Sequence, residues 1–142
     1  MWDNWKLIVL PFLSGLLAQS IKVIISCFTE HRVNFRRFVE MGGMPSSHTA
    51  AASALSTLVW LKEGYESTIF AVTLFFSFIV MYEAAGLRRA AGRQAQVLNQ
   101  ILEEFHRSGK IERIKLRELL GHTPLEVFMG GVLGFFFGLA FY

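Results

Sequence analysis

Long apolar runs alternate with polar, basic stretches along this chain. Apolar positions dominate from about Trp5 to Phe28, from about Ser47 to Leu61, from about Thr68 to Leu87, and from Pro124 to Tyr142. A bilayer core of about 30 Å needs about 20 helical residues, within a range of roughly 17–25. The first, third and fourth runs meet that length. The second, rich in Ala and Ser, is short for a complete crossing. The pattern predicts an all-α integral membrane helical bundle with about four transmembrane spans, forming one membrane-embedded domain over residues 1–142. The N-terminal run is too long for a signal peptide, contains Lys22 and has no convincing small-residue cleavage site, so it is expected to stay as a span.

The polar stretch before the last run has its own periodicity. Ala91, Ala95, Leu98, Leu102 and Phe105 recur at helical spacing, with Arg93, Gln96, Asn99 and Glu103 between them. Ser108-Gly109 breaks the pattern, and Ile111, Ile114 and Leu119 suggest a further short helix up to Gly121. Short amphipathic helices of this kind, within a cytoplasmic region 88–123, are expected to lie against the membrane surface or to cap the bundle. In the last run Gly130, Gly134 and Gly138 share one face, a spacing that lets helices approach closely. Packing within one chain is the ordinary reading of that face. A homo-oligomer through the same three glycines is the alternative.

Composition sharpens the membrane reading. An apolar share of 53% against 18% charged residues excludes a disordered chain and disfavours a simple soluble domain. The single cysteine, Cys27, excludes an internal disulfide and a Cys-rich zinc site. The net charge of +3 is modest, but its distribution is lopsided. If all four runs cross, the two loops on one side hold Arg32, Arg36, Arg37, Arg88, Arg89, Arg93, Arg107, Lys110, Arg113, Lys115 and Arg117, and the other side only Lys6 and Lys62. The positive-inside rule then puts both basic loops in the cytoplasm and both chain ends outside. The expected localisation is the cell membrane, multi-pass.

Four segments carry candidate chemistry. Gly42-Gly43-Met44-Pro45-Ser46-Ser47-His48 ends the first basic loop and opens the second run. A helix N-terminus offers free N–H groups and partial positive charge to a phosphate, Ser46 and Ser47 add hydroxyl donors, and His48 can pass a proton to a leaving oxygen. The plainer reading makes a serine the helix cap and leaves His48 at the water interface. Gly121-His122-Thr123-Pro124-Leu125-Glu126 opens the last run. Glu126, four residues on, can fix the tautomer of His122 and sharpen its far nitrogen as a nucleophile. The competing reading gives Thr123, Pro124 and Glu126 to a capping box. Lys22, buried in the first run, either snorkels or aims a cation at the Ser46–His48 turn. Arg88 and Arg89 follow Glu83 at the end of the third run. Their forked guanidiniums suit phosphate, although interface arginines obeying the charge rule are as common. No carboxylate cluster for divalent metals and no Walker loop accompanies these residues.

These strings resemble the divergent branch of the type 2 phosphatidic acid phosphatase superfamily, related to vanadium haloperoxidases and bacterial acid phosphatases. The similarity runs through Gln19–Val23, Gly42–Ala50, Val80–Asn99 and Leu116–Gly131. The resemblance implies that Lys22 stands for the first motif's lysine, and that Pro45-Ser46-Ser47-His48 stands for Pro-Ser-Gly-His. It implies that His122 and Glu126 stand for the last His and Asp. The function so implied is hydrolysis of a lipid phosphomonoester through a phosphohistidine, with His122 as nucleophile, His48 as acid then base, and Glu126 as orienter. Lys22, Ser46, Ser47, Arg88 and Arg89 would hold the phosphate, with Gly43 and Glu83 in support and no metal or other cofactor. The sequence departs from the pattern at Ser47, which stands where Gly is usual, and in three further places. No Arg-Pro follows Lys22, Glu126 replaces Asp, and Leu116 sits where an arginine is usual, so Arg88 or Arg89 is expected to supply that cation. Phosphatidylglycerophosphate is the expected substrate, with phosphatidate or polyprenyl diphosphate as other options, and no nucleic-acid partner is expected. The alternative is a non-catalytic membrane protein that binds anionic lipid headgroups.

Overall fold

In the computed structural model the described residues are 4–30, 43–107 and 121–142; the side chains of residues 30 and 87–89 are outside the description. They form five helices: α1 (Lys6–Glu30), α2 (Ser47–Glu63), α3 (Thr68–Ala85), α4 (Leu87–Arg107) and α5 (Pro124–Phe141). The all-α expectation holds. Local sequence explains where the helices begin. Ser46 and Ser67 cap α2 and α3 by accepting from the N–H groups of Thr49 and Phe70. Thr123 and Glu126 form a reciprocal capping box on α5, with Pro124 in its first turn. α2 stops at Gly64, whose φ of +84° suits only a residue without a Cβ.

α2 is the central helix. On one side it meets α1, where Gly15 faces the Ser47 carbonyl and Ser14 Oγ donates to the Ala50 carbonyl at 3.2 Å. On a second side Ser56 and Ser77 join it to α3 through a 2.7 Å hydroxyl pair, and Ser77 Oγ also lies 3.0 Å from the Ala52 carbonyl. On a third side it packs on the glycine face of α5. A Cβ on Gly134 would fall 2.1 Å from the Ala50 carbonyl oxygen, and one on Gly130 would fall 2.5 Å from that of Ser46. The backbones touch because those side chains are missing. The glycine stripe is therefore packed against α2 of the same chain, the ordinary reading of that face.

The outward faces of α1, α3 and α5 carry exposed Phe12, Phe28, Phe75, Phe76, Phe128 and Phe136. Such a surface suits hydrocarbon. Among the described residues, three segments are long and apolar enough to cross a membrane: Lys6–Thr29, a stretch within Thr68–Arg107, and Pro124–Phe141. α2 is not among them. Its 17 residues rise about 26 Å, short of a full hydrocarbon core, and its Ala- and Ser-rich faces touch neighbouring helices. The expected amphipathic helix is present but not short. α4 spans 21 residues and starts directly after Gly86. Ile111, Ile114 and Leu119, expected to form a further short helix, lie outside the described residues.

The up-and-down course brings the end of α1, the start of α2, the end of α3 and the start of α5 to one end of the bundle. At the other end Tyr142 Oη donates to the Leu61 carbonyl at 3.1 Å, and Lys62 Nζ donates to Asn4 Oδ1.

Candidate active site

The candidate site occupies the end where α2 and α5 begin. Two long-range backbone bonds fasten it. The Ser46 N–H donates to the Glu126 carbonyl at 3.0 Å, and the His122 N–H donates to the Ala84 carbonyl at 3.2 Å. The first ties the cap of α2 to the opening turn of α5. The second ties the residues before α5 to the end of α3.

His122 is fully buried. Its Nδ1 lies 3.1 Å from Glu126 Oε2. An ionised carboxylate can only accept, so Nδ1 carries the hydrogen and Nε2 presents its lone pair on the far side of the ring. The same Oε2 accepts from the Thr123 N–H at 3.1 Å, while the Glu126 N–H donates to Thr123 Oγ1 at 3.3 Å. The carboxylate that closes the capping box thus also reaches the imidazole. One oxygen caps α5 and orients the imidazole.

The His48 ring, from the first turn of α2, lies with its centroid 6.5 Å from that of His122, at an interplanar angle of 61°. A nucleophile works about 3–3.5 Å from phosphorus. An acid works within about 3 Å of the leaving oxygen. Both imidazoles thus stand at the same end of the bundle, close to one another.

Ser46 is completely buried. Its Oγ accepts from the Thr49 N–H at 3.4 Å and from Thr49 Oγ1 at 3.1 Å. Neither bond uses the Ser46 hydroxyl hydrogen. Ser47 occupies the next position and is half-buried between α1 and α2.

Lys22 lies on the inward stripe of α1 with Pro11, Ser14 and Ala18 and is only 4% exposed. Its Nζ is buried and has no hydrogen-bond partner among the described residues. It does not snorkel. Gly43, with φ +92°, lies against its stem: a Cβ there would be 3.6 Å from Lys22 Cδ. The left-handed backbone at Gly43 brings the Ser46–His48 turn to the lysine. Glu126 is close enough for its charge to act on Lys22.

The structure therefore gathers Lys22, Gly43, Ser46, His48, His122 and Glu126 at one end of the bundle. Glu83 is not with them. Its side chain is exposed beside Phe78, Ile79 and Tyr82 on the outer face of α3. A helix turns about 100° per residue, so the neighbouring Ala84 faces inward and supplies the carbonyl that holds His122. Arg88 and Arg89 fall in the first turn of α4, and their side chains lie outside the described residues. Three contributors have no obvious signature in the sequence: the Ala84 carbonyl, Thr49 beneath Ser46, and Gly130, which lets α5 reach the cap of α2. Only the run of small residues at Ala84-Ala85-Gly86 and the helical spacing of Gly130 from Glu126 hint at them.

With this geometry in hand, three comparisons place the chain. Residues 3–137 match the family described as the Divergent PAP2 family. The chain is 43% identical over 139 residues to the "uncharacterized membrane protein YuiD" of Bacillus subtilis (strain 168), covering 87% of this chain and 88% of that protein. No solved structure matches.

Proposed function

The chain belongs to the divergent PAP2 family of membrane proteins, and from that footing we propose that it is a metal-independent lipid phosphate phosphatase. Its substrate is a lipid phosphomonoester at the cytoplasmic leaflet of the cell membrane, phosphatidylglycerophosphate above phosphatidate or polyprenyl diphosphate. The observation that carries the reading is Lys22 Nζ, buried and without a hydrogen-bond partner among the described residues, at the end that holds two imidazoles whose ring centroids lie 6.5 Å apart. An isolated ammonium costs roughly 2.5–3.5 kcal/mol at the centre of a membrane helix. An anion bound there offsets that cost.

In the proposed reaction His122 Nε2 attacks phosphorus and forms a P–N bond as the P–O bond to the lipid breaks. His48 gives its proton to the departing oxygen, which leaves as the lipid alcohol. Glu126 holds the Nδ1 hydrogen and stabilises the charge that His122 gains. His48, now neutral, takes a proton from water. The resulting hydroxide attacks phosphorus, the P–N bond breaks, and inorganic phosphate departs with His122 restored. Lys22 and the Ser46 hydroxyl hold the phosphate oxygens, with Ser47, Arg88 and Arg89 as further donors. One imidazole works neutral and the other protonated, so the rate falls at both low and high pH. A flat profile contradicts paired histidines.

The test is phosphate release from phosphatidylglycerophosphate or phosphatidate by the full chain in detergent, with and without chelator. Release that survives the chelator and is nearly abolished by His122→Ala is expected. Full turnover by that variant contradicts the reading. Tight headgroup binding with no turnover in the wild type favours a non-catalytic lipid-binding protein.

A further inference from the structure

We propose that a groove between α3 and α5 seats the hydrocarbon tail of the lipid substrate, and that Trp60 and Phe135 close its far end and set the tail length accepted. This rests on the lipid phosphatase reading above.

The groove starts beside the segments that hold His122. Its near end is bounded by Ala85 and Pro124, the neighbours in sequence of the Ala84 carbonyl and of the His122-Thr123 pair. It continues along α3 and α5 to Met81 and Phe135. These two residues also line a cleft that reaches inward to α2, past Phe70 to Trp60. The two depressions adjoin at these side chains, and Phe135 stacks on Trp60 there, ring centroids 6.4 Å apart and planes within 15°.

The occupant follows from the lining. The walls are apolar and aromatic. Hydroxyls on the inner side are engaged with the protein: Ser53 donates to the Gly131 carbonyl at 2.7 Å, Thr57 to the Ser53 carbonyl at 2.8 Å, and Ser56 pairs with Ser77 at 2.7 Å. A polar occupant finds few groups left to bind it, whereas a hydrocarbon tail presents no such need. The groove opens on lipid-facing helices, so a tail can enter from the bilayer without passing through water. From Pro124 to Phe135 the rise along α5 is about 16 Å, which suits a medium-length acyl chain better than a long isoprenoid.

Two experiments test this. The first compares phosphate release from phosphatidates of increasing acyl length by the wild type, Trp60→Ala and Phe135→Ala. A wild-type preference for shorter tails is expected to move toward longer ones in both variants, changing the long-to-short ratio of kcat/KM by about 10-fold or more, the scale of one methylene rejected by a fitted pocket. An unchanged ratio with release intact overturns the groove and leaves the phosphatase reading standing. The second needs neither turnover nor a variant. Phosphatidate carrying a diazirine at the tail end is photolysed with the full wild-type chain. Adducts concentrated at Trp60, Phe70 or Phe135 support the groove. Adducts spread over Phe12 and Phe28 on α1 overturn it. If no lipid phosphate releases phosphate, the phosphatase reading fails, and the cross-linking pattern still decides whether the groove holds a tail.

Discussion

Two lysines, at opposite ends of the same bundle, have opposite fates. Lys62 is partly exposed and has partners, Asn4 Oδ1 and the Glu63 carboxylate at 3.2 Å. Beside it Tyr142 fastens α5 to the end of α2. Lys22 is buried, and its ammonium has no hydrogen-bond partner among the described residues. The Lys62 end is complete as a piece of structure. The Lys22 end is organised just as firmly, by two backbone bonds and a capping box, yet it keeps a cation in reserve. Glu126 offsets part of the cost of burying that cation, and a bound anion would offset more. On the proposed function, the firmness at the Lys22 end serves a ligand, while that at the Lys62 end serves the fold.

That contrast can be broken in several places. The largest effect belongs to the imidazole pair. His48→Ala is expected to slow turnover by about 10²–10⁴-fold, the usual worth of a positioned acid–base group, with the melting temperature little changed. Glu126→Gln separates the two duties of one side chain. Glutamine still serves a capping box, so thermal stability stays near wild type. Replacing a carboxylate by an amide beside a catalytic histidine costs as much as about 10⁴-fold in other enzymes, and a large loss of kcat is expected here. Equal losses of stability and rate in that variant would reduce Glu126 to a cap.

Lys22→Met comes next. A hydrogen bond to a charged group is worth about 1.5–3 kcal/mol, so phosphate affinity should fall roughly 10-fold to 100-fold. The melting temperature should stay near wild type, because the cost of burying the charge and its attraction to Glu126 are lost together. A drop in melting temperature would mean that Lys22 is a structural lysine after all. Gly134→Ala acts on the fold. Its Cβ meets the Ala50 carbonyl, and overpacking of this kind costs about 1–3 kcal/mol, read as a lower melting temperature. The smallest effect is expected from Lys62→Met, within about 1 kcal/mol of wild type and with turnover unchanged.

Much of this was legible in the residues. Apolar runs marked α1, α3 and α5 to within a few positions, since a helix in lipid must be apolar over its whole length. The capping residues Ser46 and Thr123 marked two helix starts, because their chemistry is local. The boundary between α3 and α4 was less visible. Helical spacing in the 91–105 stretch fixes a helix there but not its start, and only Gly86 separates it from α3. α2 reads as a doubtful span because hydropathy records what lipid requires, and its neighbours are protein. Within the site, His122 and Glu126 declare themselves through their i,i+4 spacing. Lys22 stands out by its depth, but its buried, unpartnered state is a matter of packing. The Ala84 carbonyl carries no side-chain signal, since any residue there supplies the same oxygen. The outward turn of Glu83 is a question of helix phase, which the membrane hides by making every face of α3 apolar.

The most direct test of the central claim is to trap the covalent intermediate. The full chain is mixed with ³²P-labelled phosphatidate or phosphatidylglycerophosphate, quenched in alkali and mapped by peptide. The account predicts an acid-labile, alkali-stable phosphate on His122, absent from His122→Ala and longer-lived in His48→Ala. Phosphate release with no label on His122, or with label on another residue, would contradict it.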